Sequence, residues 1–135
     1  MLNVVIGMNY VSYNPNPTGK NVGDCTIRAI SKATGKSWGD TYLALAVQGY
    51  IDGDMPSANA VWGAYLRSIG YKRHIVPDVC PDCYCVEDFA RDYPNGTYIL
   101  ALSGHVVCLK DGDLYDSWQS QRETVLYYWE KERND

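Results

Sequence analysis

Asp111-Gly112 stands between two runs in which apolar and polar residues alternate, HVVCLK at 105–110 and DLYDSW at 113–118. An Asp-Gly pair flanked this way is a strong short-range signal for a two-residue hairpin turn, because both turn residues must take positive φ. With that turn Lys110 faces Asp113, and the same register sets His105 opposite Trp118 and Val107 opposite Asp116. Side chains alternate by two along a strand, so His105 and Asp116 become diagonal neighbours on one face of the hairpin. A three-residue loop with a bulge would shift the register by one and move Asp116 to the other face.

The hairpin belongs to a run of strands that fills the second half of the chain. From Thr97, TYILALS, HVVCLK, DLYDSW and, after a polar loop, TVLYYW all carry strand patterning. The first half is helical in period. Residues 2–13 read as a short strand or extended arm, and NPNPTGKN (14–21) is a loop because its prolines and glycine forbid regular structure. Asp24 is placed to cap a helix carrying Ile27, Ile30 and Ala33, which Gly35 ends. A second helix is expected from Ser37 or Trp38 to about Tyr50, with Tyr42, Leu45 and Ala46 inward. Ser57 can cap a third, through Ala60, Val61, Ala64, Tyr65 and Leu66 to Gly70. YKRHIV (71–76) reads as a strand, PDVCPDCYC as a turn-rich segment and VEDFARDYP as a short helix. TVLYYW is expected at a sheet edge, with its aromatics lining a groove. The expected fold is α+β: a helical N-terminal half packed on a C-terminal antiparallel β-meander, one domain over 1–135.

Composition narrows the function. With 135 residues, 46% of them hydrophobic, the chain can build a packed core. A net charge of −4 with scattered basic residues argues against a nucleic-acid partner. No stretch approaches the roughly 20 apolar residues of a membrane span, and the N-terminus lacks the pattern of a signal peptide. The expectation is a soluble cytoplasmic protein without a cofactor, its five cysteines free thiols or metal ligands.

Cys25 follows Gly23-Asp24 directly, at the mouth of the first helix. The helix dipole favours a thiolate there and a neighbouring imidazolium favours it further, lowering such thiols from ~8.5 to roughly 3.5–7.5. A cysteine on the helical lobe and a His105–Asp116 pair on the sheet are the parts that nucleophilic acyl transfer requires. Main-chain N–H groups of the first turn can meet a developing oxyanion, and Asn21, just upstream, is the side chain best placed to join them. The competing reading of Cys25 is a small buried apolar side chain, and that of His105 is a strand-end hydrogen-bonding group. His74 has no carboxylate at useful spacing and reads as structural or exposed.

A cysteine opening the first long helix, then helices, then a histidine opening a strand and an aspartate on the next strand resembles the papain-like cysteine peptidase superfamily, its compact bacterial and phage members above all. The resemblance lies in the order of elements over most of the chain, not in residue motifs. It implies Cys25 as nucleophile, His105 as general base and acid, Asp116 as the group orienting the imidazole, and a peptide or protein substrate cut at a peptide, isopeptide or related amide bond. Papain-like enzymes usually carry a glutamine about six residues before the cysteine, where this chain has Gly19, and Cys25 is followed by Thr26.

Two other readings stand beside this one. The same fold without activity would be a module binding a protein or peptide in its groove. CPDCYC (80–85) has the spacing of half a zinc site, with Cys80, Cys83 and Cys85 as weak candidate ligands and His74 or Cys108 as a speculative fourth. On that reading the chain is a small zinc-stabilised interaction domain. A redox C-x-x-C is a further possibility for the same segment.

Overall fold

A computed structural model describes residues 8–76 and 84–132. Among them the elements run β1 (Asn9–Ser12), α1 (Cys25–Thr34), α2 (Trp38–Asp52), α3 (Asn59–Ser68), β2 (Tyr71–Ile75), α4 (Val86–Asp92), β3 (Thr97–Leu102), β4 (His105–Lys110), β5 (Asp113–Asp116) and β6 (Tyr127–Lys131). The α+β class holds.

The helix boundaries follow local chemistry, with two corrections. Gly35 ends α1 in the left-handed region at φ 77°, its N–H bonded to the Ser31 carbonyl, as a helix-ending glycine should. Ser37 caps α2 by accepting from the Asp40 N–H. Asp24, expected to cap α1 in the same way, does not: its backbone at φ −110°, ψ 26° is not extended, and its carboxylate is taken by other partners. Ser57 does not cap α3 either, because the first bonded turn begins one residue later, at the Ala58 carbonyl. On α2, Leu45 is buried as expected and Ala46 is half-buried. Tyr42 is turned outward to stack on Trp38, while Thr41 and Gly49 complete the inner face.

The sheet corrects the division into a helical half and a β half. Its order is β1-β5-β4-β3-β6-β2. The β3-β4-β5 meander is there, and Asp111-Gly112 forms its two-residue turn with φ of 50° and 82°. Lys110 faces Asp113, Leu109 faces Leu114 and Cys108 faces Tyr115, the register the turn requires. The early strands close the two edges: β1 lies parallel to β5, and β2 antiparallel to β6. The sheet is therefore mixed, and β6 lies inside it between β3 and β2 rather than at an edge.

Strand alternation feeds two cores. Ile99, Ala101, Val106, Cys108 and Trp129 pack under α1–α3 with Ile30, Leu45, Trp62 and Leu66. Tyr98, Leu100, Val107, Leu109 and Leu114 point the other way, against Phe89 and Val86 of α4. With both faces covered, β3 and β4 read as nearly continuous apolar runs. Helix α1 lies across β4, which brings its N-terminus to the end of the sheet where β4 begins and β5 finishes.

Candidate active site

That junction gathers the three residues singled out from the sequence. Gly104, at φ 68°, completes the tight β3–β4 turn, so that His105 opens β4. Asp116 is the last residue of β5. The diagonal relation expected from the hairpin register is realised as a hydrogen bond of 2.8 Å between His105 Nε2 and Asp116 Oδ2. With Nε2 so engaged, Nδ1 is the ring nitrogen left for Cys25, whose thiol lies beside the imidazole, close enough for each to shift the other's titration. The Val106 N–H and the Thr26 hydroxyl also reach the sulfur. The indole of Trp118 covers the imidazole, with centroids 4.8 Å apart and planes 26° from parallel.

The electrostatics follow from these contacts. Burial pushes the Cys25 thiol up, but hydrogen bonds from His105, Val106 and Thr26, together with the imidazolium charge, more than offset it and leave the thiol below its ordinary value. Burial pulls His105 down, yet hydrogen bonds and charge from Asp116 and Cys25 raise it to about 9. Burial pushes Asp116 up, while donors from His105, Ser120 and Ser117 bring it below the usual carboxylate range. The three shifts all run in the direction that favours thiolate, imidazolium and carboxylate in a row.

Asp116 is more fully held than the sequence suggested. Oδ2 accepts from His105 and from the Ser120 hydroxyl at 2.6 Å. Oδ1 accepts from the Ser117 N–H at 2.7 Å and from Arg28 Nη2 at 3.0 Å. Arg28, only 5% exposed, grips Asp24 Oδ1 with its other terminal nitrogen. Trp38 Nε1 donates to Asp24 Oδ2 at 2.8 Å. Arg28 and Ser120 went unread in the sequence. The legible signal for Arg28 was its i,i+4 spacing from Asp24, a pairing that usually lies on a solvated helix face.

The cavity over Cys25 and His105 has a volume of about 720 Å³. Asn21, the proposed oxyanion donor, lines it together with Gly23 and Thr26. Trp62 and Tyr127 also line it, stacked at 6.4 Å. Val22, Trp118 and Leu126, each about half exposed, form its rim.

Only part of the zinc reading falls on described residues. Cys80 and Cys83 lie outside the described residues. Cys85 is the N-cap of α4, its thiol 3.1 Å from Asp88 Oδ2. Cys108 is buried in the helical-side core, and burial pushes its thiol up to about 12. His74 stacks on Tyr128 and does have a carboxylate partner, cross-strand Glu130 at 3.5 Å, which local spacing could not reveal. Among the described residues no group of three or more His, Cys, Asp or Glu is placed to hold a metal ion. Among them also, no helix is long and apolar enough to cross a membrane.

Comparison with protein-family models, with curated proteins and with solved structures finds no match.

Proposed function

We propose that this protein is a papain-like thiol hydrolase that opens a peptide, isopeptide or related amide bond through an acyl-enzyme. The observation that carries the reading is the Cys25 thiol beside His105, which is itself hydrogen-bonded to Asp116, in the lining of an open cavity. In this mechanism the Cys25 thiolate attacks the substrate carbonyl carbon, and its electron pair forms the C–S bond as the C=O π pair moves to oxygen. The Cys25 main-chain N–H and the Asn21 amide meet that oxyanion. His105 Nδ1–H then protonates the leaving amine, the C–N bond breaks, and a thioester remains on Cys25. Neutral His105 next takes a proton from water, whose oxygen attacks the thioester carbon; the C–S bond breaks with its pair returning to sulfur, which releases the acid and restores the thiolate–imidazolium pair. Asp116 holds the imidazole in one orientation throughout and stabilises its charged form.

The substrate on this reading is a peptide or protein segment with an apolar side chain beside the scissile bond. The charged groups in the cavity wall, Arg28 and His105, are both already engaged with Asp116, and the rim is Val22, Trp118 and Leu126. The test is trapping of the acyl-enzyme. The protein is mixed with a nitrophenyl ester of an acylated apolar amino acid and analysed intact by mass spectrometry. The expected result is one acyl mass on Cys25 that is absent in Cys25→Ser. The second reading, a silent binding module, rests on Gly19 at the place where papain-like enzymes carry glutamine. It predicts binding in the cavity with no acyl transfer.

A further inference from the structure

Behind the candidate triad stand two ionic groups, Asp24 and Arg28, that extend it into an alternating row and that the chemistry above does not use. Asp24 meets Arg28, Arg28 meets Asp116 and Asp116 meets His105, which meets Cys25. All three of Asp24, Arg28 and Asp116 are buried. Desolvating such a group is costly, and apolar replacements of similar volume are often as stable or more so, so stability alone gives a weak reason for its presence. Its position offers a better one. Arg28 lies one turn beyond Cys25 on the same helix, so α1 carries both the nucleophile and the clamp on the orienting carboxylate.

We propose that Arg28 and Asp24 act as a charge-balancing positioning pair, fixing Asp116 against His105 and setting the pH range over which the Cys25–His105 ion pair persists; the proposal rests on the hydrolase reading above. Arg28 anchors Oδ1 of Asp116, which leaves Oδ2 directed at the imidazole. A lone guanidinium there would cancel much of the carboxylate's hold on the imidazolium. Asp24 restores it by neutralising Arg28, and the Trp38 indole N–H fixes Asp24 in turn. The groups around this row are few. Helix α1 and its preceding residue bring Asp24, Cys25 and Arg28, while β4 brings His105. From β1, the Tyr10 hydroxyl donates to the Asp116 main-chain carbonyl at 3.2 Å. The turn after β5 brings Ser117, Trp118 and Ser120, all uncharged.

The signs separate this role from a merely structural one. Removing an anion near the ion pair makes the thiolate easier to form and the imidazolium easier to lose, so both titrations move down. Removing a cation moves both up.

The experiment uses the full chain as wild type, Asp24→Asn, Arg28→Gln and the double variant. The pH midpoint of Cys25 alkylation by iodoacetamide is read by mass spectrometry, and the His105 ring titration by NMR. In Asp24→Asn both midpoints fall by about half a pH unit or more. In Arg28→Gln both rise, and in the double variant, which removes both charges, both return towards wild type. If Arg28→Gln does not fold, the fall in Asp24→Asn and its reversal in the double variant decide the matter. Midpoints unmoved in Asp24→Asn, or moved upward, overturn the proposal. A wild-type Cys25 with no reactivity at low pH overturns the hydrolase reading instead, and the His105 titration still reports on the pair.

Discussion

His105 and Asp116 are eleven residues apart, on adjacent strands, and meet at 2.8 Å between Nε2 and Oδ2. Their meeting is a consequence of turn chemistry. Asp111 and Gly112 accept the positive φ values of a tight turn, and the register of that turn delivers the carboxylate to the imidazole.

Asp116→Asn keeps the shape of the side chain and removes its charge. His105, held at about 9 in large part by this carboxylate, is expected to titrate at least a full pH unit lower, so the imidazolium beside Cys25 is lost at lower pH than in wild type. With one anion fewer facing the thiolate, the onset of Cys25 alkylation should also move to lower pH. NMR titration of the ring and mass spectrometry of the alkylated protein check the two halves of this expectation.

Folding stability carries a distinctive pH signature. A His105 raised above its unfolded value of about 6.5 adds stability that is complete below pH 6.5 and lost as pH rises through about 9. A Cys25 lowered below its unfolded value adds stability that grows as pH rises from its folded value toward that of the free thiol. As pH rises above 6.5 the two slopes oppose each other, since the His105 contribution is being lost while the Cys25 contribution grows. Wild-type Tm should therefore fall less with rising pH than that of Cys25→Ala, which removes the opposing slope. On the acid side, Asp116 adds stability that is present above its unfolded value and lost as pH falls through its lowered folded one. Calorimetric scans from pH 3 to 9 on both proteins read all three limbs.

Gly49 closes the inner face of α2 where the chain turns back. A Cβ there would lie 2.7 Å from the Asp54 carbonyl oxygen and 3.2 Å from the Pro56 nitrogen. Gly49→Ala gains about 1 kcal/mol of helix propensity, but main-chain overlap costs more. A net loss of about 1–2 kcal/mol, several degrees in Tm, is expected, with the Cys25 alkylation profile unchanged.

Much of this architecture was legible because it is local. The three long helices have start and stop residues within a few positions of their ends, and the hairpin announces its own register. What was hidden depends on distant partners. Nothing in NYVS predicts a parallel pairing with β5, and nothing in YKRHIV predicts β6 as its neighbour, since strand pairing across the chain leaves no periodic trace. Asp24 read as a cap because short-range rules assign aspartate before a helix to that task. The neighbourhood of Arg28, which redirects it, exists only once β5 is in place. The same reason explains Tyr42: its spacing fits an inward stripe, but the inner face is set by packing against α1 and α3, which buries Thr41, Leu45 and Gly49 instead.

The most direct measurement of the central claim is the alkylation rate of each cysteine against pH, in wild type and in His105→Ala. The triad predicts fast modification of Cys25 well below pH 8, with Cys85 and Cys108, both pushed up by burial, left unmodified. It also predicts that His105→Ala loses the low-pH reaction while remaining folded. Modification of Cys25 no faster than that of Cys108, or at the same low pH with and without His105, contradicts it.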